Sequence, residues 1–188
     1  IQISFGGHQT LAKAYTIRSR ISGNAPDSNF SNRAISAWVE VTKLDPRNAE
    51  AWAFLSEFYL RSNKNEDAIN ALNKWVAAAA PVDDRFYQRI LGAQADLSPL
   101  NARVKLGEAL IKAGKKREAV EVLSQAIAEI PDNPIAIDLL RQAFQGEDNV
   151  ASQQTVELLQ QAVFANPNNL VLVEIMADVQ SKIGKPDD

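Results

Sequence analysis

Three short stretches of this 188-residue chain share one pattern: proline, any residue, asparagine, then a helical run. They are Asp45-Pro46-Arg47-Asn48, Ile130-Pro131-Asp132-Asn133 and Asn166-Pro167-Asn168-Asn169. Proline cannot continue a helix, because it lacks the backbone N–H and its ring strikes the preceding turn. An asparagine two residues later accepts a hydrogen bond from the free N–H groups that open the next helix. Pro81-Val82-Asp83 follows the same logic with aspartate as the cap. Each motif therefore ends one helix and starts another. Pro46 to Pro81 spans 35 residues and Pro131 to Pro167 spans 36. A helix–turn–helix unit repeated at such a period cannot bury its apolar face alone, so neighbouring units must stack.

Between the prolines the apolar residues fall at helical spacing. Residues 49–81 carry Trp52, Leu55, Ser56, Tyr59, Ala68, Leu72 and Pro81. Residues 100–131 carry Leu106, Gly107, Leu110, Gly114, Ala119, Leu123, Ala126 and Pro131, with Arg103 at the tryptophan position. A small residue, Ser56 or Gly107, lets the second helix approach the first. Ala68 or Ala119 fills the facing notch, and the large residues on either side supply burial worth ~1.5–3 kcal/mol each. This pattern resembles the tetratricopeptide repeat (TPR), strongly over 49–81 and 100–131 and more weakly over the rest of the chain. The resemblance implies an all-α fold, a right-handed α-α superhelix.

About ten helices are expected, at roughly 6–19, 32–44, 49–62, 65–79, 84–96, 99–112, 116–129, 135–145, 151–165 and 169–183. They form one domain over 1–188, with repeats at about 5–46, 49–81, 100–131 and 135–167 and a partial repeat at 170–184. Pro81 to Pro131 spans 50 residues, which leaves room for an extra helix over about 83–97 that interrupts the alternation. Ser22 to Asn32, rich in Gly, Asn, Pro and Ser, reads as a loop.

Composition narrows function by exclusion. Net charge is −3 with 20 basic and 23 acidic residues, so no basic surplus points to nucleic acid. Lys112 to Arg117 is dense in lysine but sits at a turn around Gly114, where charges are ordinarily solvated. With no cysteine, thiolate catalysis, disulfides and cysteine metal sites are excluded. The single histidine, His8, has no partner of metal-ligand type, and its place in the repeat suggests packing. Gly6-Gly7 is an isolated pair rather than a phosphate loop. The Trp38, Trp52, Tyr59 and Trp75 set reads as core rather than as a sugar platform. No catalytic, cofactor or metal residue is expected, and the chain does not read as an enzyme. The longest apolar run, Trp75 to Val82, is far shorter than the ~20 residues that span a bilayer. Residue 1 is Ile, which suggests a processed or excised chain; cytoplasm and bacterial periplasm are both compatible.

The resemblance also implies where a partner would sit, since the first helix of each pair lines the concave side. The candidates are Glu50, Ala53, Glu57 and Leu60, then Asn101, Val104, Glu108 and Ile111, then Ile137, Leu140 and Phe144. Family members that clamp a chaperone's terminal carboxylate use lysine, arginine and asparagine there; this chain has Ala53, Glu57, Val104 and Glu108. The expected partner is a protein or peptide with an apolar segment flanked by basic residues. The alternative is a structural subunit that assembles a larger complex by self-association, of the kind found in bacterial secretion, polysaccharide-export or envelope systems. For that reading the last helix matters, because Leu170, Val173, Met176, Ala177 and Val179 give it an apolar flank to be covered by missing sequence or by a neighbour, and a homo-oligomer contact is one such neighbour.

Overall fold

The computed structural model describes residues 5–21, 28–78, 96–144 and 152–183, together with Arg89. The described segments are helices and short turns, with no strand among them. The expected extra helix at 83–97 lies outside the described residues except for Arg89, Asp96 and Leu97. The chain divides into two compact units, residues 1–102 and 103–188.

The first unit holds α1 (Phe5–Ile21), α2 (Ser28–Leu44), α3 (Ala49–Arg61) and α4 (Asn65–Ala78). Each packs on the next. The first proline motif behaves as its chemistry requires. The Asn48 Oδ1 accepts from the Ala51 N–H at 2.9 Å, capping α3. The Trp52 indole N–H donates to the Pro46 carbonyl at 2.8 Å and pins the corner. Between α3 and α4, Asn63 takes a left-handed φ of 55°, and the Lys64 N–H closes on the Tyr59 carbonyl at 3.0 Å. Trp38 and Phe54 stack at 5.3 Å between centroids in the core, where Trp75 is also buried. The Trp38 N–H is matched by the Thr16 hydroxyl at 2.9 Å, so a buried donor is satisfied.

α2 starts at Ser28, inside the stretch expected to be loop. Phe30 explains the added turn. Its ring lies 6.2 Å from that of Tyr15 and 5.6 Å beneath the Arg18 guanidinium, so extending α2 buries an aromatic against α1. Burial outweighs the poor helix propensity of Ser28, Asn29 and Ser31.

Helix α5 (Pro99–Lys112) crosses the unit boundary, and the second unit continues with α6 (Lys116–Glu129), α7 (Pro134–Phe144), α8 (Gln153–Ala165) and α9 (Leu170–Ile183). Gly114 holds the same turn position as Asn63, with φ 75°. The two remaining proline motifs are equivalent. Asn133 caps α7 through the Ala136 N–H at 2.9 Å, and Asn169 caps α9 through the Leu172 N–H at 3.3 Å. The close-approach reading of Gly107 holds: a Cβ there would stand 2.5 Å from Leu123 Cγ. α6 packs on α7 and α8, and α9 packs on α8 and α7.

Candidate functional site

The expected partner-facing residues divide into a covered set and a reachable set. In the first unit, one stripe of α1 meets one stripe of α3. The Gln9 Nε2 donates to Glu50 Oε2 at 2.7 Å, and the Lys13 Nζ lies 3.1 Å from Glu50 Oε1. Two turns further on, the Arg20 guanidinium pairs with the Glu57 carboxylate, which also accepts from Arg61 at 2.7 Å. Glu50, held by two side chains of α1, is buried at 7% exposure, and Ala53, one turn on, at 3%. Glu57 keeps a quarter of its side chain exposed, and Leu60, one turn on, is half-buried. The two glutamates thus neutralise bases of the neighbouring helix. Arg20 also lies 5.3 Å over the Phe54 ring, which ties the ladder to the core.

On α5 the picture is more open. Asn101 is held at the helix start, its N–H donating to the Ser98 hydroxyl at 3.1 Å. Val104 is buried at 9% exposure. Glu108 is about half exposed and pairs with Lys112 at 2.6 Å, one helical turn away; Ile111 is half-buried. On α7, Ile137, Leu140 and Phe144 are all interior, at 7%, 0% and 7% exposure. All three belong to the broad buried face of α7, which also holds Ala136, Leu139 and Ala143, and α7 packs on α6 and α9.

The last helix behaves differently from residue to residue. Met176 and Val179 are core, at 7% and 1% exposure, while Leu170 and Val173 stand out at 79% and 41%. Phe164, at the end of α8, is 89% exposed and was not singled out in the sequence. Its signal was present: Gln153, Glu157 and Gln160 precede it at helical spacing, a polar stripe that places a phenylalanine in water. The bases of α1 were equally legible, because its sequence contains Lys13, Arg18 and Arg20 and no acid.

Among the described residues, no group of three His, Asp or Glu side chains could hold a metal ion. None of the described helices is long and apolar enough to cross a membrane. His8 lines an open cleft of about 380 Å³ with Tyr15, Asn32, Arg33, Ser36, Ala37 and Glu40.

Two sequence profiles of the tetratricopeptide repeat match the chain, over residues 32–97 and 100–133. The chain belongs to the tetratricopeptide repeat family. No curated protein matches it. Among solved structures, this TPR chain is similar to the MamA protein, with 18% identity and a TM-score of 0.53 over 94% of this chain and 84% of that one. It is also similar to the double mutant MamA RS-1 ArsTM, with 15% identity and a TM-score of 0.52 over 92% and 94% of the two chains. At such identities the likeness is one of fold: all-α and built from TPR helix pairs. The family and fold make the protein an interaction scaffold in its general character.

Proposed function

We propose that this TPR protein binds an apolar peptide segment flanked by basic residues, and that the open end of α3 in the first unit and that of α5 in the second are each, separately, a contact for such a segment. One observation carries the reading. Glu57–Leu60 in the first unit and Glu108–Ile111 in the second are the same pair: an acid followed one turn later by a part-exposed aliphatic, at equivalent repeat positions. An aliphatic side chain left half in water offers contact area. Glu57 is already engaged by Arg20 and Arg61, so the half-exposed Glu108 is the acid that favours a cation on the incoming chain. Of the expected groove residues, these four and Asn101 remain reachable, whereas Glu50, Ala53, Val104, Ile137, Leu140 and Phe144 are buried.

The test is selection of displayed random 12-residue peptides on the immobilised protein. Sequences with two or three apolar residues beside Lys or Arg should be enriched. Leu60→Asp or Ile111→Asp should weaken an enriched peptide by about tenfold, the loss of one well-buried anchor. Glu108→Gln should reduce the preference for flanking bases while leaving the apolar preference intact. Enrichment of acidic peptides, or affinities indifferent to both Asp substitutions, would reject the reading.

A further inference from the structure

The second helices of this chain leave one face in water wherever they stand in the stack. Trp38 on α2, Leu72 on α4, Leu123 on α6 and Leu159 on α8 occupy one repeat position, and each is fully buried. Five residues before that anchor stand Arg33, Asp67, Glu118 and Gln154, all exposed. Two residues before it, Ser36, Asn70, Glu121 and Glu157 are exposed or half-buried. α6 packs on α7 and α8 and still keeps Glu118 in solvent. The openness of this face on α2 is therefore a property of the repeat, not of where the chain starts.

Only α2 sets a base at that position, and it sets it over an aromatic ring. The Arg33 Nε donates to Asn29 Oδ1 at 3.1 Å, and the guanidinium lies 5.9 Å from the centroid of Tyr15. Tyr15 stands 6.2 Å from Phe30, which carries Arg18 at 5.6 Å. With one edge tied and one face on a ring, the Arg33 fork is fixed in orientation. Arg20, Arg61, Arg103 and Arg141 each meet a carboxylate, whereas no described carboxylate pairs with Arg33. α1 contains no acid, and Glu40, the one acid of α2, is held by Lys43 at 2.6 Å. The cleft of about 380 Å³ opens beside Arg33, with Tyr15 and Ala37 in its wall. Helical phase puts Tyr15 on the far side of α1 from Lys13 and Arg20, the bases that face α3.

We propose that this α1–α2 face binds an acidic segment of a separate polypeptide, whose carboxylate takes the Arg33 fork while an apolar neighbour enters the cleft against Tyr15 and Ala37. A guanidinium matches a carboxylate with two parallel hydrogen bonds, and one already held in place loses little freedom on pairing. A repeat of the same chain is not the occupant. Second helices here meet their neighbours through buried stripes such as Ala119, Val120 and Leu123, whereas this face offers Asn32, Arg33 and Ser36 to solvent. The site lies apart from Leu60 and Ile111, so the scaffold takes two partners of opposite charge and the two readings fail separately.

The test runs the selection of displayed random 12-residue peptides on the wild-type protein and on Arg33→Glu in parallel. A class with Asp or Glu beside an apolar residue should appear on the wild type and be missing on Arg33→Glu. That variant keeps the α3 and α5 contacts without this face, so enrichment of acidic peptides speaks against those contacts only there. For a labelled peptide of the acidic class, fluorescence anisotropy should show Kd raised about tenfold or more by Arg33→Gln. Arg33→Lys, which keeps the charge but not the fork, should raise it less, and Leu60→Asp and Ile111→Asp should leave it unchanged. The circular dichroism spectrum of the Arg33 variants should match the wild type, because the side chain is exposed. No acidic class on the wild type, an acidic class that persists on Arg33→Glu, or equal affinity of wild type and Arg33→Gln would overturn the proposal. Light scattering that shows a wild-type dimer split by Arg33→Glu would also overturn it, in favour of a second copy as the occupant.

Discussion

Gly107 offers the sharpest test of how the TPR helix pair is held. It lies in α5, where a Cβ would stand 2.5 Å from both Cγ and Cδ2 of Leu123 on α6 and 3.0 Å from Cδ1. Two effects of Gly107→Ala therefore compete. In a free helix the change gains ~1 kcal/mol of propensity. In a packed interior, added volume costs ~1–3 kcal/mol. The contact includes the branch carbon of a fully buried leucine, so rotating the tip of the side chain does not relieve it. The overpacking cost should fall in the upper part of its range, leaving Gly107→Ala less stable by roughly 1–2 kcal/mol.

The decisive measurement is a double-mutant cycle with Leu123→Ala. Alone, that substitution should cost ~2–5 kcal/mol by emptying a core site. In the Gly107→Ala background the new methyl group enters the space that Leu123 leaves. The double mutant should therefore be more stable than the sum of the singles predicts, by at least ~1 kcal/mol. Urea unfolding followed by far-ultraviolet circular dichroism is the assay, because all three tryptophans lie before residue 103 and report on the first unit. A stabilised Gly107→Ala, or additivity within ~0.5 kcal/mol, would refute the packing argument.

Two further predictions concern the first unit. Glu57→Gln removes the charge between Arg20 and Arg61; with a quarter of the glutamate side chain and 12% of Arg20 exposed, the loss should be about 1–2 kcal/mol, between the exposed and buried limits, and it should shrink in high salt in urea titrations. Burial, with a smaller contribution from the Asp67 charge, raises the Tyr59 phenol above 10.0. The folded state thus holds that proton more tightly than the unfolded chain does. The stability it contributes is whole below pH 10.0 and is lost as pH rises through the raised value. Absorbance titration at alkaline pH should show a late phase that Tyr59→Phe removes. Asp67→Asn should bring its midpoint down only part of the way, since burial is the larger cause.

How much of this was legible in the sequence depends on whether a feature is local. Caps and turns are. Asn48, Asn133 and Asn169 each answer the N–H groups of their own helix, and Gly114 supplies its own φ, so proline-spaced motifs located the helix boundaries to within a few residues at most sites. The start of α2 escaped because Ser28 to Ser31 is helical through Phe30, whose partners Tyr15 and Arg18 lie on another helix. The candidate surface fared worse for the same reason. A residue's phase on a first helix says which way it points, but not whether the next first helix stands there. Glu50 and Glu57 have the phase of groove residues, yet Lys13 and Arg20 of α1 reach them across the pair. Ile137, Leu140 and Phe144 have that phase too, and the stack closes over them. Phe164 is the converse: helical phase puts it in water, and there it stands, 89% exposed. In a repeat protein, then, the reading of a residue rests on comparison between repeats, because one repeat position differs in burial along the stack: Ile137 is 7% exposed and Val173, 36 residues on, is 41% exposed.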